Sequence, residues 1–172
     1  GIFADEEEDR GFGAVAALYT ETCQVVVRAD SDIRSIEDLH GRTVSIGAEE
    51  SGSEQNALQI LSAYGLNDKM VSMVNLNYED AAAQLKAGRV DAIFMTVGAP
   101  SPVLTALAGE CGIRLLNVDS AAAQRLQSAY SAYSGVTLPA GTYPGQTEEV
   151  QTVGVKAVLL ASNALPAKQV QR

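Results

Sequence analysis

The chain is short of positive charge. Its 172 residues carry 12 Lys and Arg against 21 Asp and Glu, a formal net charge of −9. Neutralising a nucleic-acid backbone takes clustered Lys and Arg, so no nucleic-acid partner is expected. Histidine occurs once, as His40. It stands in a polar turn between Leu39 and Gly41 and reads as a surface residue. A Ser-His-Asp triad would have to use that imidazole, and no G-x-S-x-G elbow accompanies it. The two cysteines, Cys23 and Cys111, fit neither a zinc spacing nor C-x-x-C. They read as buried thiols, with a disulfide as the alternative in an oxidising compartment. Gly52-Ser53 lacks the Gly-Lys-Ser/Thr that completes a Walker loop. Carboxylates are plentiful, but none are paired at a spacing suited to acid–base work. No apolar run is long enough to span a bilayer. Catalytic, metal and cofactor residues are therefore all expected to be none, and composition favours a binding protein over an enzyme.

What is present is a core of ordinary size. The chain is 47% hydrophobic, enough for one real domain at this length. Much of the acidity sits in Asp5-Glu6-Glu7-Glu8-Asp9, a run of the kind that marks a solvated end. The most informative stretch runs from Thr43 to Gly65. A short β-branched run, Thr43 to Ile46, stops at Gly47, and a small polar loop, Ala48 to Ser53, follows. Ala57, Leu58, Ile60, Leu61 and Tyr64 then recur at helical spacing, with Gly65 at the C-cap. Free N–H groups in the first turn of such a helix carry partial positive charge and suit a carboxylate or phosphate. The plain alternative is a Ser N-cap with no ligand.

The same punctuation organises the rest. Strands are expected at Gln24–Ala29, Met70–Leu76, Val90–Thr96, Ile113–Val118 and Thr152–Ala161. Helices are expected at Gly52–Tyr64, Tyr78–Ala87, Ser101–Gly109 and Ser120–Tyr133. A helical turn spans Ser35–Gly41, a Gly- and Pro-dense loop spans Pro139–Gln146, and the tail after Pro166 begins another helix. Tyr130 and Tyr133, three apart on one helix, are expected to pack in the core. Alternating strands and helices imply an α/β fold: an open, mostly parallel sheet of about five strands, with one antiparallel strand from Gln24–Ala29 or Thr152–Ala161 and helices on both faces. Ligands of such sheets sit off the carboxyl ends of the strands. Three segments leave those ends: Gly47–Ser53, Thr96–Pro100 and Asn117–Ser120.

Six words of sequence, in order over about residues 17 to 165, carry a family resemblance. They are Ala17-Leu18-Tyr19 with Val26-Val27-Arg28-Ala29-Asp30-Ser31; Ile36 to Gly47 (IEDLHGRTVSIG); Ser51-Gly52-Ser53-Glu54; Ala87 to Ala92 (AGRVDA); Thr96-Val97-Gly98-Ala99-Pro100; and Pro139 to Gln146 (PAGTYPGQ). The chain resembles the solute-binding proteins of TAXI-type tripartite ATP-independent periplasmic (TRAP) transporters. The resemblance implies a type II periplasmic-binding-protein fold, extracytoplasmic placement with the signal segment outside this chain, and TRAP permease subunits as partners. It implies that residues 1–21 lead in from a first lobe, that 22–155 form a ligand-binding second lobe, and that 156–172 return toward the first.

The ligands it implies are small carboxylates: glutamate, glutamine or a dicarboxylate. Ser51, Gly52, Ser53 and Asn56 on one side, and Thr96, Val97, Gly98 and Ala99 on the other, would hold the carboxylate. Tyr143 and Gln146 are second-rank candidates in a motif that also reads as structural. Glu49 and Glu50 depart from the family's small or proline-rich loop and should weaken an anion site unless they point to solvent. Two alternatives share the fold: the effector domain of a LysR-type transcription regulator, and a phosphate-binding enzyme such as a phosphoribosyltransferase. The first would need a DNA-binding head and the second a basic phosphate site.

Overall fold

The computed structural model describes residues 14–162, with side chains from 19 to 156. The acidic run at 5–9 and the helix expected after Pro166 lie outside the described residues. The chain divides into two compact units, Glu21–Val155 and a second formed by Gly1–Thr20 with Lys156–Arg172. Two strands, β1 (Ala14–Arg28) and β7 (Val150–Ser162), contribute residues to both units. Everything below concerns residues 21–155.

Between those strands come a 3-10 turn (Ile36–Leu39), β2 (Thr43–Ser45), α1 (Gly52–Ala63), β3 (Ser72–Val74), α2 (Tyr78–Lys86), β4 (Ala92–Val97), α3 (Pro102–Glu110), β5 (Ile113–Leu115), α4 (Ser120–Ala129) and β6 (Tyr133–Leu138). The strands form one mixed sheet in the order β3-β2-β4-β1-β7-β6, with β5 also paired to β1. β2 pairs parallel with β3 and β4, whereas β1 runs antiparallel to β4 and β5, and β6 antiparallel to β7.

Side chains alternate across this sheet, and each face buries its own cluster. Val25, Val27, Ala92 and Phe94 pack with Ala57, Ile60 and Leu61 of α1 and with Ala122 and Leu126 of α4. Val26, Ile93 and Met95 face the other way, toward Ala81 and Leu85 of α2 and Leu104 and Leu107 of α3. The expectation of an α/β sheet with helices on both faces holds. Among the described residues the sheet has seven strands rather than about five, and it is mixed rather than mostly parallel: the β2 pairs are parallel, and β1–β4, β1–β5 and β6–β7 are antiparallel. One of the unexpected strands is β6, which follows because the expected helix Ser120–Tyr133 stops at Ala129. β1 also begins ten residues before the expected start at Gln24.

The two cysteines are free thiols. Cys23 packs in the first cluster and Cys111 against the second, on opposite faces of the sheet, so no disulfide joins them. Burial pushes the Cys23 thiol up to about 11, which keeps it protonated and unreactive at neutral pH. His40 is exposed after the 3-10 turn, as its polar setting implies.

Candidate functional site

A cleft of about 530 Å³ opens at the carboxyl ends of β2 and β4. Its wall is the start of α1. Ser51 is the N-cap, in extended backbone, and its hydroxyl accepts from the Glu54 N–H at 3.1 Å. That satisfies one of the helix's orphan donors. The Gln55 N–H donates to the Ser51 carbonyl. Among the described residues the N–H groups of Gly52 and Ser53 make no hydrogen bond. They are the free positive end of the helix dipole.

Gly47 makes this turn possible. Its φ is +95°, and a Cβ there would stand 3.0 Å from the Ser53 Cβ and 3.3 Å from the Glu54 amide nitrogen. Glu54 accepts from the Glu50 N–H at 2.8 Å and from the Asn75 amide at 2.9 Å, and the same amide donates to the Gly47 carbonyl. The Glu54 carboxylate thus braces the loop beside the helix end. Glu49 and Glu50 are exposed and do not line the cleft, so the two acidic residues of the loop leave the helix end unopposed.

The Ser53 side chain, 7% exposed, points inward. Its hydroxyl bonds the Tyr78 hydroxyl and accepts from the Thr96 N–H at 3.2 Å, while Tyr78 also donates to the Thr96 carbonyl at 3.3 Å. Tyr78 is the first residue of α2 and Thr96 lies near the end of β4. Three strand-to-helix junctions are therefore tied together through one serine. Ser53→Ala would leave the Thr96 N–H and the Tyr78 hydroxyl without that partner. The expected result is a loss of about 1–3 kcal/mol of stability, read as a lower urea midpoint at unchanged slope.

Of the residues expected to bind ligand, Ser51, Gly52, Ser53, Asn56 and Thr96 line this one cleft. Val97, Gly98 and Ala99 do not: Val97 and Ala99 pack against the second cluster on the other face, and Gly98 is exposed. Val97 is the last residue of β4, and alternation along the strand turns it to the face of Ile93 and Met95, opposite Thr96.

Tyr143 and Gln146 lie elsewhere. Tyr143 is 1% exposed within the second cluster; its hydroxyl donates to the Gln24 side chain and accepts from the Ser101 N–H at 2.9 Å. Ser101 is the N-cap of α3 and makes no side-chain cap bond of its own. Gln146 accepts from the Tyr143 N–H and donates to the Glu148 carbonyl. The motif from Thr142 to Gln146 is a structural clasp.

The far wall was not foreseen. Tyr133 is not on a helix with Tyr130: it opens β6, is 5% exposed, and its ring meets that of Tyr130 edge-on at 6.1 Å. Its hydroxyl donates to Gln59 at 2.5 Å and accepts from Asn56 at 3.0 Å. Burial pushes it up to about 12. Glu21, Gln55, Gln59 and Tyr78 complete the polar lining. Tyr78 had a legible signal, since it follows β3 as Ser53 follows β2. Glu21 had none, because it sits inside a strand longer than its apolar run.

Comparison with known proteins gives a family and a fold. The model of the NMT1-like family matches residues 1–172. Among solved structures, the periplasmic aliphatic sulphonate binding protein SsuA from Escherichia coli is 21% identical, with a TM-score of 0.51 over 88% of this chain and 42% of that one. The arginine-bound form of truncated ArgBP from T. maritima is 20% identical, with a TM-score of 0.42 over 82% of this chain and 52% of that one. This chain spans about half the length of those proteins.

Proposed function

The chain belongs to the NMT1-like family, and from that premise we propose that it is the second lobe of a solute-binding protein serving a TAXI-type TRAP transporter outside the cytoplasm. Its ligand is a small carboxylate such as glutamate, glutamine or a dicarboxylate, and its macromolecular partners are the membrane permease subunits. It binds rather than catalyses. Residues 22–155 form the lobe, and the flanking segments lead to and from a first lobe.

One observation carries the reading. The unpartnered N–H groups of Gly52 and Ser53 open into a cleft at the carboxyl ends of β2 and β4, where sheets of this class hold ligands. A carboxylate there meets two aligned donors and the helix dipole. Among the described residues no helix is long and apolar enough to cross a membrane. The fold likeness to SsuA supports the binding-protein class and leaves the ligand open, since a sulfonate also suits a helix end.

Native mass spectrometry of the protein joined to its first lobe is the test. The expected result is a co-purified carboxylic acid that dissociates on activation. A sugar phosphate released in its place would overturn the reading in favour of an enzyme of the same fold.

A further inference from the structure

The charge inventory of the cleft narrows its ligand. Among the described residues Glu21 is the one carboxyl lining it, and no Lys, Arg or His does. The sheet order separates two kinds of wall. On the β2–β4 side stand the free N–H groups of Gly52 and Ser53, which favour an anion. On the β1–β7–β6 side stand Glu21 and the ring of Tyr133, with Tyr130 packed edge-on against it. A carboxylate beside aromatic rings favours a cation. The Tyr133 ring is held in place because Asn56 and Gln59 both bond its hydroxyl.

The charge of Glu21 acts on the cleft floor. It adds to the burial that raises the Cys23 thiol, and Cys23 in turn accepts from the Thr96 hydroxyl at 3.5 Å. A second ligand carboxylate placed here would meet a like charge, and among the described residues no Lys, Arg or His lines the cleft to offset it. An ammonium would meet an opposite charge, with Tyr130 and Tyr133 in the same lining.

We propose that Glu21 is the selectivity residue of this cleft, holding the ammonium of a small amphoteric acid whose carboxylate sits on the Gly52 and Ser53 N–H groups, and that it turns dicarboxylates away. The proposal rests on the reading of the cleft as a carboxylate site. It places the ligand's positive group on β1 and its negative group on α1.

The test is titration calorimetry on the protein joined to its first lobe, as wild type and Glu21→Gln. Three probes differ one group at a time: L-glutamine, glutaramate (which lacks only the ammonium) and glutarate. The wild type is expected to bind L-glutamine at least tenfold more tightly than glutaramate, and glutarate least of all. Glu21→Gln is expected to erase the preference for the ammonium and to strengthen glutarate relative to glutamine by tenfold or more. The ratio between probes serves as the internal control, because a general weakening of the fold moves all three together. An unchanged ratio in Glu21→Gln, or a wild type that prefers glutarate, overturns the selectivity role and leaves the carboxylate site standing. A wild type that binds none of the three overturns both.

Discussion

On the proposed two-lobe reading, residues 1–172 alone are expected to bind a small carboxylate only at millimolar concentration or not at all, whereas the same chain joined to the proposed first lobe binds at micromolar or tighter. The donors this lobe supplies are two backbone N–H groups at a helix end and a handful of amide and hydroxyl groups. A helix end contributes roughly 0.3–2 kcal/mol to an anion, depending on burial. A micromolar site needs about 8 kcal/mol. The difference has to come from contacts on the rest of the ligand and from the exclusion of water, which strengthens every polar contact inside. An open cleft provides neither. Calorimetry on both lengths reads the effect as a change in Kd of about a thousandfold or more. Equal, tight binding by the shorter chain would show that one wall is sufficient and that the first lobe is dispensable.

The second large effect is expected at Tyr143. The ring fills the second cluster, and its hydroxyl is shared between Gln24, itself 1% exposed, and the Ser101 N–H. Tyr143→Ala removes a buried aromatic ring, at a cost of about 3–5 kcal/mol. It also leaves the Gln24 Oε1 and the Ser101 N–H without that partner, while the Gln24 Nε2 keeps the Val97 carbonyl. Domains of this size hold about 5–15 kcal/mol in total, so the variant should be largely unfolded at modest urea concentrations. Tyr143→Phe keeps the packing and deletes only the hydroxyl, leaving two buried polar groups unpaired at about 1–3 kcal/mol each. Ligand affinity measured on the folded fraction should be unchanged in the Phe variant, because neither Tyr143 nor Gln146 lines the cleft at α1. A weakened Kd at unchanged urea midpoint would return this tyrosine to the binding site and contradict the clasp.

Much of the architecture was legible before any coordinates. The turn from β2 into α1 was readable because its chemistry is local. Ser51 caps the helix, Tyr64 closes it, and Gly65 at φ +75° takes the left-handed position the sequence assigns it. Asn77 and Gly88 bracket α2 in the same way. β6 was not readable. Only its two ends, Tyr133 and Leu138, are buried, and a glycine stands in its middle, so no apolar alternation marks it. It exists because β7 offers an edge to pair with, and a non-local partner leaves no trace in a short window.

The site was legible in the same proportion. The cleft wall built from a helix end was legible, since spacing and capping announce it. The half built from Glu21, Tyr78 and Tyr133 was not, since three distant elements have to be assembled first. The turn after β4 shows how residue type misleads. Val97 and Ala99 belong to the same word as Thr96 but pack on the opposite face of the sheet. In a strand neighbouring side chains face opposite ways, so proximity in sequence is no guide to a shared wall.

β1 has a consequence for how the protein comes to be folded. Of the described strands it is the first in chain order, yet it lies in the interior of the sheet, between β4 and β7, with β5 also paired to it. A strand in that place has nothing to pair with until its neighbours have been synthesised, and one of them, β7, is the last of the described strands. Each pairing closes a long loop whose entropy cost falls due before the contact rewards it. Folding should therefore be slow, in the milliseconds-to-seconds range of folds dominated by distant contacts. It should also be completed only after β7 has been made. Until then the strand that organises both cores is an unpaired apolar segment, and the nascent protein is a client for whatever keeps such segments apart.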